Sequence, residues 1–150
     1  MTFTLDNLIN SLAGALRAQY PNYPVYYSPN QQGTTYPCFF IFLMPSTIED
    51  QIEGRFMRDL GIDIVFVQQR NIVNGNAEIL AVQDFLDANL EMFEYTDATG
   101  EMAYISTYER RASTEDDEMH YQFHIRQRVS VPRNTVLMQE MEDANASIKE

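Results

Sequence analysis

The apolar positions of the chain change spacing several times, and each change predicts an element. Leu5, Leu8, Ile9, Leu12 and Leu16 recur at helical steps, leaving Asp6, Asn7, Asn10 and Arg17 on the opposite side. Thr4 stands just before the first of them and is a capping type, because its hydroxyl accepts from an N–H of the first turn. Tyr20-Pro21 ends the helix, since the residue before a proline is pushed out of the helical region. Residues 25–28 read as a short strand and 29–35 as a polar loop with turn chemistry. Cys38, Phe39, Phe40, Ile41, Phe42 and Leu43 form an unbroken apolar run, the mark of a strand buried on both faces.

After Pro45 the pattern becomes more polar over residues 47–53, and Gly54-Arg55 reads as the turn of a hairpin. The return strand alternates. Phe56, Leu60, Ile62, Ile64 and Phe66 fall on even positions, with Met57, Asp59, Gly61 and Asp63 between them, which predicts a sheet with one wetter face. Arg58 interrupts the series and marks either a bulge or the exposed tip of a long hairpin. Residues 71–76 read as a loop, from which Asn74 or Asn76 caps a second helix running through Asn89. Its stripe is Ile79, Val82, Phe85, Leu86 and Leu90. Residues 102–108 make a further strand, and Met119, Tyr121, Phe123, Ile125 and Val129 define the inward face of a last one. The charged stretch 110–118 between them reads as a solvated loop.

This order predicts an α+β domain: a mostly antiparallel sheet, two main helices packed on one side, and a long hairpin. No repeat or linker divides the chain, so residues 1–150 read as a single domain with about 132–150 as a C-terminal extension. In that extension Leu137, Met138 and Met141 are apolar among acidic neighbours. Docking on a neighbouring subunit and a short helix lying on the chain's own sheet both fit.

Composition narrows the class. A chain of 150 residues, 45% hydrophobic, buries roughly 68–70% of its unfolded surface and needs no disulfide. No segment combines a basic start with a long apolar run, which predicts a soluble, unexported protein. The net charge of −12 argues against nonspecific nucleic-acid binding, which requires cations to displace phosphate counterions. Nine of the ten basic residues are Arg, Lys149 being the exception. Arg is favoured over Lys at protein interfaces, although genome bias gives the same imbalance.

No catalytic constellation emerges. The lone Cys38 sits among Phe39, Phe40 and Phe42, an environment that raises a thiol pKa and suits a buried small hydrophobe. His120 and His124 share one side of a strand, but four residues of strand separate them by about 13 Å, too far for one metal ion. Glu49-Asp50 and Asp116-Asp117 are acidic pairs with nothing that marks a glycosidase or nuclease. No phosphate loop, dinucleotide fingerprint, nucleophile elbow or paired-cysteine zinc motif is present. Neither a cofactor nor a metal is expected. Nine Tyr, nine Phe and eight Met in a small domain supply side chains favoured where subunits meet, though several must be core.

The sequence resembles the tail-terminator, or tail-completion, proteins of long-tailed phages and prophages of Gram-positive hosts. The likeness is carried by the opening helix with Leu8-Ile9-Asn10-Ser11-Leu12, by Tyr20-Pro21-Asn22-Tyr23-Pro24-Val25-Tyr26, and by Pro37-Cys38-Phe39-Phe40-Ile41. The segment Arg55-Phe56-Met57-Arg58-Asp59-Leu60-Gly61-Ile62-Asp63-Ile64 resembles the family's second hairpin strand. The resemblance is clearest through Phe66 and continues as a shared element order to Val131.

It implies a noncatalytic virion protein, assembled in the host cytoplasm, that forms a hexameric ring on the head-proximal end of the tail tube. The ring stops tube polymerisation and offers a docking surface to the head-tail connector protein. Implied partners are copies of itself, the tail tube protein, the connector and a sheath protein, with no membrane. DNA passes through the lumen without specific binding, in keeping with six acidic copies repelling phosphate. Ring closure requires a heterologous contact, expected at sheet edges or at the long hairpin.

The axial contact surfaces are expected at hairpin 46–58 and loop 109–118. In the first, Ile48, Glu49, Asp50, Gln51 and Ile52 lead into Arg55, Phe56 and Arg58; in the second, Arg110 and Arg111 precede Asp116 and Asp117. Leu137, Met138 and Met141 are expected as further contacts in the tail. Three other readings stay open: a head-tail connector or other minor virion protein, a monomeric adaptor for a basic partner, and a small carboxylate-dependent hydrolase.

Overall fold

The computed structural model describes residues 2–28, 33–51, 55–69 and 75–130. The expected contacts Ile52, Leu137, Met138 and Met141, the turn residue Gly54 and the candidate cap Asn74 lie outside them. The chain runs through α1 (Leu5–Gln19), β1 (Val25–Tyr26), β2 (Cys38–Leu43), β3 (Thr47–Asp50), β4 (Arg55–Val67), α2 (Gly75–Asn89), β5 (Met92–Thr96), β6 (Met102–Glu115) and β7 (Glu118–Ser130). Among the described residues the fold is α+β, with two helices and a curled, mostly antiparallel seven-strand sheet in the order β1-β2-β4-β7-β6-β5. β3 follows β2 along the same edge of β4, and only the short β1–β2 pair is parallel.

The even positions of β4 and the odd positions of β7 decide where the helices go. Leu60, Ile62, Ile64 and Phe66 lie beside Ile125, Phe123, Tyr121 and Met119 in one ladder, and all eight are buried. Leu8, Leu12, Ala13 and Leu16 of α1 and Ile79, Val82 and Leu86 of α2 complete the same cluster. Removing this apolar area from water is the main force that joins helices to sheet. Thr4 caps α1 as expected, its Oγ1 accepting from the Asn7 N–H at 3.1 Å. Asn76 does not cap α2; it lies inside the helix, which begins at Gly75.

Three further expectations are corrected. β1 spans two residues rather than four, because only Val25 and Tyr26 reach β2. Arg58 marks neither a bulge nor a tip: it pairs in unbroken register with Ile48 on one side and Gln127 on the other. The stretch 110–118 is not a loop. β6 continues to Glu115 and turns back through Asp116 and Asp117 alone, both at positive φ of 48° and 64°. Two successive left-handed residues make the tight hairpin turn whose twist suits the flanking strands, and Asp tolerates that region. The charges that suggested a loop are carried on a strand with a solvated side, where only Ala112 is half-buried. The irregularity falls instead between Tyr108 and Arg111, where Glu109 takes φ 53°.

β5 was not expected. Phe93 and Tyr95 are buried and alternate with exposed Met92 and Glu94, a two-residue period directly after α2. Tyr95 also fastens the chain start: its hydroxyl donates to Thr2 O at 2.8 Å and accepts from the Thr4 N–H at 3.0 Å.

Candidate assembly surfaces

β4 and β7 pair over thirteen residues each, from Arg55↔Ser130 to Val67↔Glu118. At the antiparallel rise this ladder is about 40 Å long. The β3–β4 hairpin closes one end of it, and the Asp116-Asp117 turn closes the other. The two surfaces expected from sequence therefore stand at opposite ends of one continuous element.

At the first end, β3, the near half of β4 and residues 126–130 of β7 form a three-stranded arm, in rows such as Glu49–Met57–Arg128 and Thr47–Asp59–Arg126. All four β3 residues are exposed, Ile48 retaining 49% of its surface. Gln51 N–H donates to Arg55 O at 2.8 Å, narrowing the hairpin toward its tip. Arg55 is exposed, whereas Phe56 and Arg58 are half-buried within the arm.

At the other end, the Gln68 N–H donates to Asp117 O at 2.9 Å and holds the β6–β7 turn against the end of β4. Tyr36, Gln69, Asp116, Asp117 and Glu118 line a shallow depression there. Arg110 and Arg111 do not join this turn. They sit at the irregularity of β6, beside Gln122 and His124 of β7, with Arg110 Nη1 donating to Thr107 Oγ1 at 3.2 Å. Separation along an extended strand undoes the grouping that a loop would have permitted.

The helix-free side of the sheet carries a row of acid–base pairs. Asp63 Oδ2 meets His120 Nδ1 at 2.9 Å, and Asp59 Oδ1 meets His124 Nδ1 at 3.4 Å. Asp59 also accepts from the Tyr108 hydroxyl and from Arg126 Nη2 at 3.4 Å. The hydrogen bond from Tyr108, followed by those from His124 and Arg126, holds the Asp59 carboxyl below its usual range against the opposing effect of burial. The Asp63 hydrogen bond raises His120 above an ordinary histidine. Gly61 lies between the two aspartates because Met44 folds over it: a Cβ there would stand 2.7 Å from Met44 Cε and 3.0 Å from its Cβ. Sequence reasoning placed both histidines on one side correctly but did not find their partners, which come from β4, 57 residues or more away.

The candidate catalytic residues fall in these surroundings. Ser113 stands opposite His120 in register, yet the second ring nitrogen of His120 faces Glu118 Oε2 at 3.6 Å rather than a serine nucleophile. Burial pushes the Cys38 thiol up to about 11, away from the thiolate a nucleophile needs. The acidic pairs Glu49-Asp50 and Asp116-Asp117 lie at opposite ends of the ladder. Among the described residues no cluster of His, Cys, Asp and Glu has the geometry to hold a metal ion, and no helix is long and apolar enough to cross a membrane.

What the described residues offer is long exposed strand with a hairpin at each end of the β4–β7 ladder. The sequence model of a family described as phage tail terminator protein matches residues 7–136. The chain belongs to that family. The match covers α1 from its third residue, all of α2, and the strands from β1 to β7. The terminator is thus a structural component of a phage tail, a virion protein acting in tail completion together with other tail and head components. No curated protein matches its sequence closely enough to add a named relative.

Proposed function

We propose that copies of this terminator form a hexameric ring that caps the head-proximal end of the tail tube, stops its polymerisation and presents a docking surface to the head-tail connector. The observation that carries the reading is the placement of two hairpins at opposite ends of the β4–β7 ladder, about 40 Å along the strands. A protein that ends a polymer must match the tube on one face and show something different on the other. The two ends differ in this way: one mixes Asp50 with Arg55, and the other gathers Asp116, Asp117 and Glu118. A net charge of −12 per copy favours a lumen through which DNA slides without adhering. The protein performs no chemistry on this reading.

Tail assembly with altered tips tests it. Asp116→Asn with Asp117→Asn removes the charge while keeping a residue that tolerates positive φ, and Arg55→Glu reverses the other tip. One alteration is expected to release tube length, and the other to leave capped tubes that do not join heads. Normal length and normal joining with both sets would overturn the proposal.

A further inference from the structure

We infer that the ring closes by edge-to-edge strand pairing, with the free side of β3 in one copy lying against the free side of residues 126–130 of β7 in the next. The inference rests on the ring reading and names the contact that would make it. In the three-stranded arm β4 is the middle strand, and among the described residues no strand pairs with the outer side of β3 or of residues 126–130. β7 loses β6 at this point, since the β6–β7 pairing ends at Thr107↔Ile125. Among the described residues each copy therefore carries two unpaired strand edges on opposite sides of one arm. Alternate N–H and C=O groups point outward from each and invite a further strand.

The two edges differ in charge. β3 carries Glu49 and Asp50, and the β7 edge carries Arg126 and Arg128. An acidic edge cannot pair well with a copy of itself, nor a basic one with its own copy, because like charges directly opposite each other are destabilising. Acidic against basic is favourable, and it is heterologous: every copy uses one edge of each kind. Such contacts propagate in one direction and either close into a ring or continue as a filament.

Strand direction favours closure. β3 and β7 are both antiparallel to β4, so they run parallel to each other, and a neighbour related by rotation about an axis along the strands presents its β3 parallel to β7. Three strands from each of six copies would form a barrel of the size class that encloses an aqueous channel. The pairing also accounts for β3, which in the single copy has four exposed residues and covers little apolar surface. An edge strand of that kind gains its stabilisation from a partner.

The test adds the full-length protein to tail tubes of its own particle and counts rings on tube ends by negative-stain microscopy. Glu49→Arg with Asp50→Arg, or Arg128→Glu alone, is expected to lower ring occupancy about tenfold or more while circular dichroism and the thermal midpoint stay close to wild type. Combining all three reversals restores occupancy, because opposite charges meet again. In a second arm, Glu49→Cys protein is mixed with Arg128→Cys protein and treated with a short bismaleimide. A crosslinked heterodimer is expected from the mixture and none from either protein alone, with the fully buried native Cys38 staying silent. Rings that form normally with every charge variant and yield no heterodimer would overturn the edge pairing and leave the ring reading standing. Tubes that never acquire a ring would overturn both.

Discussion

The two halves of the β4–β7 ladder have the same hydrogen bonding and opposite fates. Over residues 60–67 and 118–125 the paired strands bury every helix-facing side chain; over 55–59 and 126–130 the same ladder leaves Arg55, Arg126 and Arg128 exposed. The break comes at Arg58, where the even positions of β4 stop being aliphatic. A core therefore ends where its apolar alternation ends, even though the backbone continues. Beyond that point the sheet carries exposed arginines in place of a core.

The sharpest way to break this contrast is to remove matched apolar groups from each half. Phe66→Ala deletes a fully buried ring that touches Phe39 and Tyr23, and should cost about 3–5 kcal/mol in urea unfolding of the isolated protein. Ile48→Ala in the arm should shift that stability by no more than about 0.5 kcal/mol. Equal losses at the two positions would mean that the arm is part of the core.

Gly61 tests the boundary on the helix-free side. Gly61→Val should destabilise by about 1–3 kcal/mol through collision with Met44, and adding Met44→Ala should recover part of the loss in the same assay. Thr4→Ala removes the cap of α1 and should cost about 1 kcal/mol, read as a lower thermal midpoint without loss of the transition's cooperativity.

The smallest effect concerns His120. Its folded-state pKa is raised by Asp63 above the unfolded value near 6.5, so the pair's contribution is complete below that pH and is lost as pH rises through the folded value. The ring is about a third exposed, 35% by side-chain surface, so solvent screening keeps the contribution under about 1 kcal/mol. His120→Gln should flatten the fall in urea midpoint over the window that opens above about pH 6.5. A wild-type midpoint that rises across that window would contradict the sign.

Much of the fold was legible because burial leaves a period. The stripe Leu8, Leu12, Leu16 and the even positions of β4 have one structural answer each, and both were read correctly. Glu109–Glu118 carries a loop's charge because charge signals solvent, and a strand with a wet face is as well solvated as a loop. β5 passed unnoticed because two buried aromatics, Phe93 and Tyr95, are a short signal next to a helix end. Of the expected contacts, β3 and Asp116-Asp117 stand at the two ends, while Arg110 and Arg111 fall between them on β6.

Local chemistry in this chain determined the helices, the strand periods, the acidic balance and the family likeness, since each depends on which side chains prefer water and at what spacing. Tertiary structure alone decided that β3 and residues 126–130 of β7 flank one strand, that their outward sides stay unpaired within the described chain, and that Asp59 and Asp63 meet His124 and His120. The aspartate–histidine pairs join segments 57 residues or more apart. No periodicity within either segment carries the register that brings them together.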